Sequence, residues 1–358
     1  MSATRLYAYS RPPPDPPLPL LVTGVAGVAG YNAFYYFRAR YGDRVVGMRR
    51  LDNRLLADDG IEGCDVDRRE AVRRLFETYR FAAVLNCEGT CKLKSCELDP
   101  PMAWRINVLG AMNLAETARE WNARLVHYSI DLVFSGTGGG AYDESARPDP
   151  VTVYGKTMAQ SERIILNERA ESCVLRISLP MGESFNGHAG AIDWIQSRFR
   201  QGKPATLYYD EIRTPTYTDC LNRVAHAVLA SDLRGLFHAG GPRPLTLYQI
   251  AQIVNRLGGY DPGLLEGCLR RDAGPIPPRA GNVSMNSERL GEALGYEPFA
   301  PWPLDDRWAP DGERWHAART GPEGSPARIA ERLYRNPLLD QLGLARERVG
   351  PRRRHARH

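Results

Sequence analysis

The stretch Thr23-Gly24-Val25-Ala26-Gly27-Val28-Ala29-Gly30 narrows the folds open to this chain more than any other. It follows a short apolar run, residues 18–23, and precedes residues 31–40, whose spacing reads as a helix. A strand that turns through glycines into a helix brings main-chain N–H groups and the positive end of a helix dipole to one point. That point attracts an anion. Gly24, Gly27 and Gly30 allow the tight turn, close approach to a pyrophosphate and tight helix–strand contact. A Gly-rich turn alone says little; in this context it reads as a dinucleotide cradle.

The rest of the first half supports that context. Apolar runs at 44–48, 82–86, 125–134 and 173–177 read as strands, and 71–79, 102–121 and 151–168 read as helices. Alternation of this kind predicts βαβ units and a parallel sheet, an α/β fold of the Rossmann doubly wound type. The expected organisation is a flexible Pro-rich arm at 1–17, a nucleotide-binding domain at 18–180 and a smaller α/β lobe at 181–300 intertwined with it. A C-terminal extension at 301–358 ends in an Arg-rich run. Helices are expected at 192–201, 245–257 and 327–334. Trp302, Trp308 and Trp315 are expected to fasten the extension to its own domain, and the end from Arg346 reads as a solvated tail.

Composition matters where it excludes. The net charge of +5 invites a nucleic-acid partner, but the positive charge is nearly all Arg and gathers at the C-terminal end, so none is expected. No apolar run is long enough for a membrane span, and prolines fill the place of a signal core. A cytoplasmic protein is therefore expected. The seven cysteines read as reduced thiols. Cys87, Cys91 and Cys96 cluster, but no second Cys/His pair at zinc spacing follows, so no metal is expected.

After the second strand, NAD-binding members of this fold place an acid on the ribose 2′-hydroxyl. Here the chain reads Met48-Arg49-Arg50, and two guanidiniums suit a 2′-phosphate. NADP is the favoured cofactor, with NAD left open by Asp52 nearby. Asp65 and Val66, ending the next strand, stand where this fold commonly meets the adenine.

The TGxxGxxG spacing resembles that of extended short-chain dehydrogenases. Ser129-Ile130-Asp131-Leu132-Val133-Phe134-Ser135-Gly136 is similar to the STDYVFDG segment of dTDP-4-dehydrorhamnose reductases. Tyr142-Asp143-Glu144, Val153-Tyr154-Gly155-Lys156-Thr157, Arg213-Thr214-Pro215-Thr216 and Gly235-Leu236-Phe237-His238 continue the likeness in order. It covers about residues 19–298. The regulatory β subunit of methionine adenosyltransferase resembles the same family.

The resemblance implies a nucleotide-linked sugar, or another small carbonyl compound, as substrate, with Asp131 and Arg213 on the substrate side. It also implies a Thr, a Tyr and a Lys as working groups, the last two spaced YxxxK. Tyr154 is present, but Ile130 and Met158 occupy the Thr and Lys positions. Lys156, two residues on, would point about 200° away on a helix. Ser129 would face the opposite side of its strand. His188, in a Gly-rich loop, reads as a solvent-exposed side chain. Three readings stay open. One is a 4-keto-sugar reductase with altered catalytic groups. Another is a non-catalytic NADP-binding regulator or scaffold, partnered by a second copy of the chain or by an enzyme it controls. The last is a sugar-nucleotide epimerase or dehydratase.

Overall fold

Alternate residues of β1 (Leu20–Val22) enter opposite cores: Leu20 and Val22 join one, Leu21 the other. A strand buried on both faces needs helices on both sides, and this sheet has them. The computed structural model describes residues 13–168, 171–275, 277–319 and 324–338. Its main sheet also contains β2 (Val45–Arg49), β3 (Ile61–Gly63), β4 (Ala83–Asn86), β5 (Arg124–Ile130), β6 (Cys173–Ile177) and β11 (Gly235–Ala239). The order is β11-β6-β5-β4-β1-β2-β3, with every pairing parallel. The fold is the doubly wound α/β type expected from the alternation. Strand order reverses between β1 and β4, the place where such sheets bind ligands beyond their carboxyl ends.

The helices of this half are α1 (Val28–Tyr41), α2 (Arg69–Tyr79), α3 (Leu93–Leu98), α4 (Pro100–Trp104), α5 (Gly110–Glu120) and α6 (Val153–Glu168). The helix expected at 102–121 is broken by a π turn at Arg105–Leu109. Asn107 lies in that turn, and its side chain accepts from Thr90 N at 2.7 Å and donates to Thr157 Oγ1 at 2.9 Å. The strand expected to reach residue 134 stops at Ile130. Asp131–Val133 form a 3₁₀ turn, closed by Phe134 N donating to Asp131 O at 3.1 Å.

Beyond β6 come β7 (Pro180–Met181), α7 (Asp193–Arg200), β8 (Ala205–Tyr208), β9 (Ile212–Arg213), β10 (Thr216–Tyr217) and α8 (Thr218–Leu229). After β11 follow β12 (Leu245–Thr246), α9 (Leu247–Gly258), β13 (Leu265–Cys268), α10 (Glu288–Leu294) and α11 (Pro326–Ile329). The short strands pair as β7 with β10, β9 with β12 and β8 with β13, outside the main sheet. A capping box at Thr246 and Gln249 starts α9 two residues later than the spacing suggested.

The described end of the arm is more attached than expected. Within the arm, Pro16 is buried and Asp15 accepts from Tyr41 Oη at 2.8 Å; residues 1–12 fall outside the described part. Trp302 and Trp315 are buried, as the tail-fastening reading requires. The Arg-rich end lies outside the described residues. Among the described residues, no helix is long and apolar enough to cross a membrane, and all seven cysteines are free thiols.

Candidate functional site

Gly24 turns the chain at the end of β1 with φ +64, a conformation that favours glycine. A Cβ there would lie 2.3 Å from Cys87 O, and one on Gly30 would lie 2.4 Å from Gly24 O. No side chain fits either place without moving backbone. Gly27 caps α1 with its main chain extended, and a Cβ there would make only ordinary contact. The first turn of α1 carries no acidic side chain, so its N–H groups keep their attraction for an anion. The three glycines thus form a tight turn into the N-terminus of α1.

The two arginines after β2 behave differently. Arg49 is folded back on its own loop, donating from Nε to Leu56 O at 2.5 Å and from Nη1 to Arg50 O at 3.0 Å. Arg50 lies 3.8 Å from Asp52, 3.8 Å from Asp65 and 4.0 Å from Asp67. Those separations are too long for hydrogen bonds. Its Nη1 is buried without a hydrogen-bond partner, and so is Asp67 Oδ1. A buried guanidinium N–H without a hydrogen-bond partner beside a Gly-rich turn could serve an anion's oxygen. Asp65, half-buried just past β3, accepts from Leu51 N at 3.1 Å. Val66 is buried, and its carbonyl accepts from Asn113 Nδ2 at 2.8 Å.

Glu88 was not foreseen. It lies just past β4, where its N–H is bonded to Thr23 Oγ1 at 3.1 Å and Asn86 Oδ1 at 3.1 Å. The residue is 9% exposed. Burial pushes its carboxyl up to about 7 from an ordinary 4.5, opposed by Arg50 and the Gly24 N–H and reinforced by Asp65 and Asp52. An acid therefore lies against the Gly24 turn and Arg50. The only sequence signal was a glutamate following the apolar run 82–86, which alone looks like a surface loop.

At the other end of the cradle Tyr154 is buried in the first turn of α6. Burial raises its phenol well above 10. Cys91 and Asp131 add to the rise, and Arg213 is the group that opposes it. Ile130 and Met158 are buried with it in one apolar cluster, and the site of a Cβ on Gly89 is 3.9 Å from Met158 Sδ. Lys156 is exposed, as its position on the helix implied. Ser129 is spent elsewhere, its hydroxyl donating to Glu162 two turns further along α6. Glu162 in turn holds Arg176 through two hydrogen bonds of 2.8 Å.

Asp131 and Arg213 bond to each other. Arg213 Nε donates to Asp131 Oδ2 at 2.6 Å, its Nη2 donates to Oδ1, and Ser178 Oγ donates to Oδ2 at 2.5 Å. Asp131 is fully buried and Arg213 nearly so. The pair ties β5 to β9 and presents a guanidinium toward Tyr154 through the protein rather than from solvent. His188 is exposed in its loop. Among the described residues, no group of three or more His, Cys, Asp or Glu side chains is arranged to hold a metal.

Residues 19–303 match the RmlD substrate binding domain family. A dTDP-4-dehydrorhamnose reductase from Aggregatibacter actinomycetemcomitans is 25% identical over 248 residues, which is 65% of this chain and 82% of that one. The methionine adenosyltransferase 2 subunit beta of Danio rerio is 26% identical over 308 residues, 81% of this chain and 92% of that one. Among solved structures, a dTDP-4-dehydrorhamnose reductase from Bacillus anthracis in complex with NADP superposes with a TM-score of 0.68 at 20% identity. The match covers 79% of this chain and 95% of that one.

Proposed function

The chain belongs to the RmlD substrate binding domain family, and from that premise we propose that it binds NADP and acts on a nucleotide-linked 4-keto sugar as a reductase. Gly24, Gly27, Gly30 and the N-terminus of α1 would hold the pyrophosphate, with Arg50 on the 2′-phosphate and Asp65 and Val66 beside the adenine. The single observation that carries the cofactor assignment is the buried Arg50 Nη1, without a hydrogen-bond partner, beside a turn that admits only glycine at positions 24 and 30.

NADPH, when bound, supplies hydride to the carbonyl carbon. Tyr154 keeps its proton on Oη at neutral pH, because burial disfavours the phenolate, and that proton goes to the carbonyl oxygen. The resulting phenolate would find Arg213 facing it, whose charge is already shared with Asp131 and Glu211. The chain keeps the proton donor and lacks the lysine that would make it more acidic. A slow reductase follows from that arrangement. The apolar pair of Ile130 and Met158 favours a second reading, a cofactor-loaded binding subunit without turnover.

Fluorescence titration with NADPH and NADH at matched salt tests the assignment. NADPH is expected to bind more tightly. Equal affinities would remove the Arg50 argument, and no binding of either would remove the proposal.

A further inference from the structure

Residues 304–338 lie beyond the part of the chain that matches the family. The described ones among them are nevertheless built into the body. Trp302 Nε1 donates to Leu333 O at 2.9 Å, and Tyr217 Oη donates to Arg332 O at 2.9 Å while accepting from Leu304 N at 3.0 Å. Ile329 and Leu333 are fully buried. These contacts fix Tyr334, the last residue of a π turn at Ala330–Tyr334 that continues α11.

Tyr334 Oη donates to Asp193 Oδ1 at 2.5 Å and accepts from Gln196 Nε2 at 2.6 Å. The other oxygen of the same carboxylate accepts from Ser184 Oγ and from Gly190 N at 2.8 Å. Asp193 is buried at the start of α7, so one carboxylate gathers both ends of segment 184–190 and joins them to the C-terminal extension. The segment enters from the cofactor side. Glu183 O accepts from Asn32 Nδ2 at 2.8 Å, and Asn32 lies on α1 two residues past Gly30. Gly182 is wedged there, since a Cβ would stand 2.3 Å from Thr218 Oγ1 and 2.9 Å from Asn32 Nδ2. Segment 182–190 is thus held at one end by the helix of the dinucleotide turn and at the other by Tyr334.

We infer that Tyr334 is a positioning residue: it latches segment 183–190 beside the dinucleotide cradle, so that the C-terminal extension governs how firmly the cofactor is retained. The inference rests on the NADP reading above. Nothing in it needs Tyr334 to touch the cofactor. The hydroxyl acts through Asp193, and a charge-assisted hydrogen bond from a half-buried hydroxyl to a buried carboxylate is strong enough to hold a loop.

The test compares the full chain with Tyr334→Phe, and with Asp193→Asn in case the first variant folds poorly. Amide hydrogen exchange is measured without cofactor, followed by NADPH titration. Exchange is expected to quicken at 183–190 while the amides of β4 and β5 keep their protection. The NADPH Kd is expected to rise about tenfold, the scale set by one lost hydrogen bond to a charged acceptor. Unchanged exchange at 183–190, faster exchange throughout, or an unchanged Kd would each overturn the latch. If the wild-type chain binds no NADPH, the functional reading fails first and takes this inference with it. If wild type binds and Tyr334→Phe binds equally, only the latch fails.

Discussion

Replacing Glu88 by Gln removes a charge from the dinucleotide cradle while keeping the side chain's shape. The buried carboxyl titrates near 7, against 4.5 ordinarily, and that difference corresponds to about 3 kcal/mol. The sign follows from which state holds the proton. Between pH 4.5 and 7 the folded protein keeps a proton on Glu88 that the unfolded chain has released. Stability therefore falls as pH rises through that window, and the full loss persists above it. Arg50, Asp52, Asp65 and the thiols of Cys64 and Cys87 are the other ionisable groups beside this carboxylate, and Glu88→Gln leaves all of them in place. The variant is expected to gain up to about 3 kcal/mol at pH 8 and only a few tenths of that unit at pH 4.5. Urea unfolding at the two pH values measures both. NADPH affinity gives a second readout: it should fall as pH rises through 7 in the wild type and stay flat in Glu88→Gln. An equal gain at both pH values, or a loss at both, would refute the assignment of a protonated Glu88 to the folded state.

Three further perturbations probe the rest of the site. Arg50→Ala should cost about 10- to 100-fold in NADPH affinity, the worth of hydrogen bonds to a charged phosphate, and leave NADH nearly unchanged; parallel titrations decide it. Gly30→Ala drives a Cβ to 2.4 Å from Gly24 O, so it should abolish measurable NADPH binding and cost about 1–3 kcal/mol in thermal or urea unfolding. Met158→Lys with Ile130→Thr would return a cation to the face of α6 that carries Tyr154 and a hydroxyl to the end of β5. NADPH oxidation with dTDP-4-keto sugars should rise by about 10²–10⁴-fold. A wild type already brisk and slowed by the pair would mean that the chemistry rests on other groups, with Asp131 and His188 the first to replace.

Much of the fold could be read from local patterns because those patterns were local in cause. Glycines 24 and 30 sit where the surrounding backbone leaves no room for a Cβ, and the apolar runs became strands buried on both faces. The misreadings arose where a distant partner decides. The run to residue 134 looks like uninterrupted strand, but Arg213, over eighty residues later, draws Asp131 into a turn. The helix at 102–121 is periodic enough to seem unbroken, and only Thr90 and Thr157 explain why the chain bulges at Asn107. The site was legible to the same degree. The glycine turn could be read from its spacing, and so could the apolar residues at 130 and 158. The resemblance put Asp131 and Arg213 beside substrate, and their burial against each other was invisible without the sheet. Glu88 was missed because its significance lies in what surrounds it rather than in its neighbours along the chain.

The pairing of β11 with β6 bears on how this protein can be made and cut. Residues 235–239 complete an edge that residues 173–177 open, and between them the chain builds α7, β8 to β10 and α8. A fragment ending near residue 180 would leave β6 with a row of bare main-chain donors and acceptors, an invitation to pair with other chains. During synthesis the first half must wait in that condition for some sixty residues to emerge before its sheet can close. The boundary that sequence composition draws at 180 is therefore no place to divide the molecule. Expression of the nucleotide-binding half alone should yield aggregates, whereas a fragment running through residue 338 keeps the sheet whole.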